Sequence, residues 1–248
     1  YIAGGYYEDG KRFLAISAGA VVRVDPASKS IQPVIPATSE LSPRALACDA
    51  QGTMFISDSS SRTVRVYSDA GKPIRTIGKP GGPYTGAYDP LRLFGASGLS
   101  VSSNGWLWLT ESSRWAPKRL VAFDAKTGAV LKERFGPPAY GCPGSGFDPI
   151  DPSRWIGQGA MWQVDMEKKT ADISSLLIKG REDSALHNRF WRQDGRTFVI
   201  SYGKATFIKE LCNDGTLKRL ACISSAHQFA YFCGWKPPES FVEAFQKT

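Results

Sequence analysis

Arg44-Ala-Leu-Ala-Cys-Asp-Ala-Gln-Gly52-Thr-Met-Phe-Ile-Ser-Asp58 and Ser97-Gly-Leu-Ser-Val-Ser-Ser-Asn-Gly105-Trp-Leu-Trp-Leu-Thr-Glu111 are one pattern written twice. Each holds a short strand, a turn containing Asp or Asn that closes on Gly, and a second strand of aromatic and aliphatic residues ending at an acid. Glycine there supplies the positive φ that a tight turn demands. Working outward, Arg62-Thr-Val-Arg-Val-Tyr67 matches Lys118-Arg-Leu-Val-Ala-Phe-Asp124 as an alternating, half-buried third strand. A Gly-containing turn at Gly71 or Gly128 then leads to a fourth strand ending at Ile77 or Phe135. Four antiparallel strands in chain order make one propeller blade.

Looser copies follow the same grammar. Asp9-Gly10-Lys-Arg-Phe-Leu-Ala-Ile-Ser17, Ala20-Val-Val-Arg-Val-Asp25 and Ile31-Gln-Pro-Val-Ile35 read as the last three strands of a first blade. Gly159-Ala-Met-Trp-Gln-Val-Asp165 leads to Thr170-Ala-Asp-Ile, and a final copy runs from Phe190 to Ile223 around Asp194-Gly195. Gly10, Gly52, Gly105, Gly159 and Gly195 recur at spacings of 42, 53, 54 and 36 residues, close to the period of propeller blades. The two long intervals contain the Gly- and Pro-rich stretches 78–90 and 136–152, which read as insertions between blades. The first blade lacks its innermost strand, while the aromatic segment 226–235 is spare. Either it completes the first blade, removing an exposed edge, or it begins a sixth. Residues 236–248 read as a helical insertion or linker in what is otherwise one domain, 1–248.

Gly98-Leu99, the Asn104-Gly105 turn, Trp106-Leu-Trp-Leu and Arg119-Leu-Val-Ala-Phe-Asp124 resemble NHL repeats. The resemblance implies an all-β propeller of four-stranded antiparallel blades, about five visible here against six in a complete domain. It implies a non-enzymatic binding module whose loop face around the central channel contacts protein or glycan. Some propellers of this kind bind RNA through a basic face, so an anionic ligand or RNA is an alternative. A second alternative is a metal-dependent lactonase or lyase. Lactonases of the gluconolactonase type hold a divalent cation with Glu, Asn and Asp side chains leading into the innermost strands, and hard cations need several converging oxygens. This chain places Pro43-Arg44, Ser97 and His187-Asn188 there, with Asn188 as the one suitable donor, so a channel cation is disfavoured and no cofactor is expected.

In a propeller the loops between second and third strands, and those leading into the innermost strands, gather on one face. Candidate binding residues are therefore Arg44, Asp58, Arg62, Glu111, Arg114, Trp115, His187, Asn188, Tyr202 and Lys204. Trp115 beside Arg114 offers a flat ring and a guanidinium plane to a sugar or base, or else caps a neighbouring blade. His187 is a conceivable base or ligand, against a hydrogen-bonded structural role. Asp58 and Glu111 each close a second strand, where the repeat often uses Asp as a turn former. Trp106, Trp108 and Trp191 alternate within strands and are expected in the core.

Composition sets the remaining bounds. The 248-residue chain carries a formal charge of +8, which favours anionic partners, although its Lys and Arg are spread in singles and pairs. No run approaches the apolar length of a membrane span. Five scattered cysteines and two histidines argue against a zinc site. Cys48 reads as a small buried hydrophobe, and a disulfide among Cys212, Cys222 and Cys233 stays open, though not one directly across the 213–215 turn. The start at Tyr1 reads as a mature protein or an excised piece, with a secreted or periplasmic setting expected for part of an exported protein.

Overall fold

A computed structural model describes every residue except 1–2, 8–12, 83–85, 112–116, 137–145, 149, 158, 178–185, 203–205, 214–215, 224–228 and 232–248; for residues 3–7, 186–191, 200–202, 206, 222–223 and 229–231 it describes the backbone alone. Every regular element among the described residues is a strand, and no helix there is long and apolar enough to cross a membrane. The contacts divide the chain into two compact units, Tyr1–Pro83 with Asp89–Tyr140, and Tyr84–Tyr88 with Gly141–Thr248.

The first unit contains three four-stranded antiparallel sheets, each in chain order. Strands β1 (Ala3–Tyr7), β2 (Phe13–Ser17), β3 (Ala20–Asp25) and β4 (Ser30–Ile35) form one; β5 (Pro43–Cys48), β6 (Met54–Asp58), β7 (Thr63–Tyr67) and β8 (Pro73–Ile77) the next; β10 (Ala96–Val101), β11 (Trp106–Glu111), β12 (Lys118–Asp124) and β13 (Val130–Gly136) the third. These are the blades read from the two quoted stretches. The first blade is, however, complete. Its innermost strand is β1, paired through Tyr7↔Phe13, and the sequence Ala-Gly-Gly-Tyr-Tyr has no alternation to reveal it.

Packing explains the composition of the middle sheet. Phe55, Val64, Val66 and Ile77 share a core with Leu93, Leu107, Leu109, Val121 and Phe123. On the other face Leu46, Met54 and Ile56 share a core with Leu14, Ile16, Val21 and Ile35. β6 is buried along its whole length, so Met54, Phe55 and Ile56 follow one another without alternation before the buried Ser57 and Asp58. In β11, by contrast, Leu107 and Leu109 are the core residues. Trp106 and Trp108 stay partly exposed and lie against each other with ring centroids 5.8 Å apart. The expectation of tryptophans in the core is corrected here: the β period of two assigns the leucines inward and the larger rings outward. Trp191 lies outside the described side chains.

Turn chemistry repeats as well. The carboxylates of Asp25 and Asp124 each accept two backbone N–H bonds from the β3–β4 and β12–β13 turns. At Gly71, φ is +76° and a Cβ would fall 2.1 Å from the Val34 carbonyl oxygen, so the β7–β8 turn touches β4 only because no side chain intervenes.

The second unit holds two five-stranded sheets. Strands β14 (Gly146–Phe147), β15 (Arg154–Gly157), β16 (Ala160–Asp165) and β17 (Thr170–Leu176) are joined at the outer edge by β9 (Gly86–Ala87). Strands β18 (Leu186–Gln193), β19 (Arg196–Tyr202), β20 (Thr206–Leu211) and β21 (Leu217–Ile223) are joined by β22 (Phe229–Tyr231). Three sequence expectations change. The stretches read as insertions supply strands, β9 and β14. Gly159 turns the chain between β15 and β16, the second and third strands of their sheet, whereas Gly52 and Gly105 turn it between the first and second. The corresponding first turn is held instead by the Asp148 carboxylate, which accepts from Ile150 N and Asp151 N. Lastly, the described part of the spare aromatic segment pairs with the outer strand β21, Ala221↔Tyr231, so it does not complete the first blade. The segment expected to be helical, 236–248, is outside the described residues. Cys48 is buried, as expected, and Cys212 forms no disulfide.

Candidate functional site

The residues leading into the innermost strands share a backbone device. Pairing of β5 with β6 passes from Pro43↔Asp58 to Ala45↔Ser57, leaving Arg44 as an extra residue. The same step isolates Ser97 between Ala96↔Glu111 and Gly98↔Thr110. It isolates Asn188 between His187↔Ser201 and Arg189↔Ile200. A bulge re-aims the side chain it carries and ends the ladder. Arg44 is thereby exposed, and Ser97 donates from Oγ to the Thr110 carbonyl at 3.0 Å. Sequence reasoning chose these positions by blade grammar; the bulge is the physical reason they differ from their neighbours.

Register places Arg44, Asp58 and Arg62 at one end of the β5–β8 sheet, and Ser97 and Glu111 at the matching end of the β10–β13 sheet. The two acids are both committed to the fold. Asp58, 2% exposed, accepts from Ser42 N at 3.1 Å, Ser60 N at 3.0 Å and Ser61 Oγ at 2.6 Å, with Arg65 Nε at 3.4 Å. Burial alone would push its carboxyl up, but the Ser61 hydroxyl, the two backbone donors and the Arg65 charge together hold it below the ordinary aspartate range. It is the turn former that the repeat pattern leads one to expect.

Glu111 is sealed more completely. Its side chain is wholly buried, and Oε2 meets Arg119 Nη1 at 2.9 Å. Arg119, equally buried, also donates from Nε to Glu133 Oε1 at 2.7 Å and from Nη2 to the Pro90 carbonyl at 2.5 Å, with its guanidinium 5.6 Å from the Phe94 ring centre. Burial pushes the Glu111 carboxyl up, opposed by the charge and hydrogen bonds of Arg119 and by the N–H groups of Gly95 and Phe94. A raised carboxyl in an open cleft would be a candidate acid; among the described residues this one is sealed under Arg119, with no exposed surface. Sequence reading missed Arg119. Its signal was present all the same, since Glu111 and Arg119 flank the loop between two antiparallel strands and are register partners.

Arg62 is exposed and adopts φ +56°, with its side chain lying over the backbone of Gly82, where a Cβ would come 2.3 Å from Arg62 Cδ. In the second unit Leu186↔Tyr202 and His187↔Ser201 put the backbones of His187, Asn188 and Tyr202 at one end of their sheet; their side chains are outside the described set. Arg114, Trp115 and Lys204 fall among the residues not described. Among the described residues no three His, Cys, Asp or Glu side chains are grouped to hold a metal ion.

No protein-family model matches the chain, and no curated protein matches it. Solved structures do resemble it. A chain of a nidogen/laminin complex aligns with 92% of this chain and 82% of its own at 15% identity and a TM-score of 0.43. A gluconolactonase of Xanthomonas campestris aligns over 93% and 83% at 13% identity and a TM-score of 0.43. Virginiamycin B lyase from Staphylococcus aureus aligns over 95% and 85% at 10% identity and a TM-score of 0.40. Likeness at this level says nothing of what this chain binds or catalyses; the fold stands on its own strand pairings, an all-β chain built from four-stranded antiparallel sheets.

Proposed function

We propose that the chain is a non-enzymatic interaction module that contacts an acidic macromolecule through the loop end of the β5–β8 sheet, as the NHL-like repeat grammar leads one to expect. One observation carries this reading. At that end the acid is withdrawn into the fold, while two arginines, Arg44 on its bulge and Arg62 in its left-handed turn, are exposed. The net charge of +8 supports the same polarity of partner. Oxygen donors for a hard cation must be free to converge, and both Asp58 and Glu111 are engaged elsewhere, which weighs against the lactonase-type alternative.

The test is fluorescence anisotropy with three labelled probes: an acidic glutamate-rich peptide, a heparin oligosaccharide and a single-stranded RNA. Reversing both charges, Arg44→Glu with Arg62→Glu, is expected to weaken the preferred probe at least tenfold. The same reversal at the exposed pair Lys168 and Lys169 in the β16–β17 turn is expected to change it less than threefold. Binding unaffected by the first pair, or equally affected by both, would refute the assignment. A preference for RNA with a steep salt dependence would move the reading to the nucleic-acid alternative.

A further inference from the structure

At the opposite end of the same two sheets lies a cavity of about 730 Å³, within the range that small-molecule sites occupy. Four pieces of chain converge on it: the β5–β6 turn, β8, the β10–β11 turn and the β12–β13 turn, all within the first unit. Three features of its lining point to a ligand.

Ile74 is 52% exposed although it is a large aliphatic residue. It is the extra residue of a bulge in β8, between Val66↔Arg75 and Tyr67↔Pro73, so the backbone turns it out of the ladder and onto the cavity wall with Val101. Arg75 follows it. One terminal nitrogen donates to the Ala125 carbonyl, but its Nε is buried with no hydrogen-bond partner. A buried charged donor left unmade is costly, and such groups call for an explanation. Lys126, exposed on the next turn, adds a second positive charge. The lining acid, Asp49, is occupied by its own turn, accepting from Gln51 N at 3.0 Å and Thr53 N at 2.8 Å.

We infer that this cavity binds a compact organic anion, an apolar body bearing a carboxylate, with the carboxylate at Arg75 and Lys126 and the body on Ile74 and Val101. The carboxylate is held there by the charges of the Arg75 guanidinium and the Lys126 ammonium, and a charge-assisted contact is stronger than a neutral one. The apolar body covers the aliphatic surface that the bulge exposes. The site is independent of the guanidinium pair at Arg44 and Arg62.

The probe is 2-naphthoate, with 2-naphthalenemethanol as its neutral counterpart, titrated against the whole 15N-labelled chain by NMR. Naphthoate is expected to bind saturably and to move the amides of Gln51, Ser103 and Lys126, with the alcohol at least tenfold weaker. Arg75→Gln is expected to abolish that tenfold preference while leaving the alcohol unchanged, and Ile74→Ser to weaken both probes. Because Arg75 also holds the Ala125 carbonyl, the exposed Lys126→Gln serves as the second variant, with an expected threefold loss for naphthoate alone. No saturable binding, shifts confined to residues 42–44 and 58–62, or a naphthoate preference left at its full size in Lys126→Gln and in folded Arg75→Gln would overturn the assignment.

Discussion

Replacing Arg119 with Met tests the buried ion pair. The side chains of Arg119 and Glu111 are both fully buried, so the variant strands a carboxylate where water cannot reach it. Breaking such a pair from one side costs about 3–5 kcal/mol. Glu111 has one escape, which is to take up a proton. That costs about 1.4 kcal/mol for each pH unit above the ordinary glutamate value of 4.5, or about 3.5 kcal/mol at neutral pH, so both routes lead to a similar loss. The sign of the pH dependence follows. In the variant the folded carboxyl titrates above its unfolded value, so the penalty is full at high pH and falls as the pH drops through the folded value. Moving from pH 7 to about 5.5 should therefore return up to about 2 kcal/mol of the variant's own stability. Adding Glu111→Gln removes the stranded charge and should recover a similar amount at pH 7 while flattening the pH dependence. Urea unfolding followed by tryptophan fluorescence reads all three proteins, with Trp106 and Trp108 reporting from the same sheet. The reasoning fails if Arg119→Met lies within about 1 kcal/mol of wild type, or if neither acid nor Glu111→Gln relieves it.

Asp58 should behave with the opposite sign. Its folded carboxyl sits below the ordinary value of 3.8, so its contribution is present above that value and is lost as pH falls through the folded one. Asp58→Asn should cost about 1.5–3 kcal/mol at pH 7, with the gap from wild type closing below about pH 4; a gap constant from pH 7 to 3 in thermal melts would contradict this. Two glycine variants separate backbone strain from steric contact. Gly71 and Gly105 have φ values of +76° and +79°, but only at Gly71 would a Cβ strike backbone, since nothing lies within 4 Å at Gly105. Gly105→Ala should cost about 1–2 kcal/mol, and Gly71→Ala at least about 2 kcal/mol more; equal losses in denaturant titrations would show that the contact between the β7–β8 turn and β4 is not tight.

Chain-local information settled more of the blades than of their surroundings. The strand, turn and strand grammar around Gly52 and Gly105, the buried β6 and the Asp-closed turns at Asp25 and Asp124 depend on neighbours within a few residues, so periodicity and turn chemistry were enough to place them. β1, β9 and β14 carry no such pattern. The two-residue strands exist only because an outer or innermost edge was there to pair with, and pairing partners such as Ser175↔Ala87 lie far apart in the chain. The inward side of β11 was likewise a matter of which face met the neighbouring sheet: alternation showed that Leu107 and Trp108 part company, and only packing decided that the leucines went in.

The candidate site divides in the same way. By itself the sequence marked the loop end of the sheets and the residues that stand there, Arg44, Asp58, Arg62 and Glu111, because blade grammar fixes which loops share an end. It could not tell an available side chain from a committed one. Availability depends on burial and on partners brought in from other strands, and those are properties of packing. The tertiary structure drew Glu111 onto Arg119, wrapped Asp58 in serine and backbone donors, and left the two arginines exposed. It also turned Ile74 out of its strand and brought Val101 and Lys126 from other turns against it and Arg75, an arrangement that arises only when four separate pieces of chain close around one cavity.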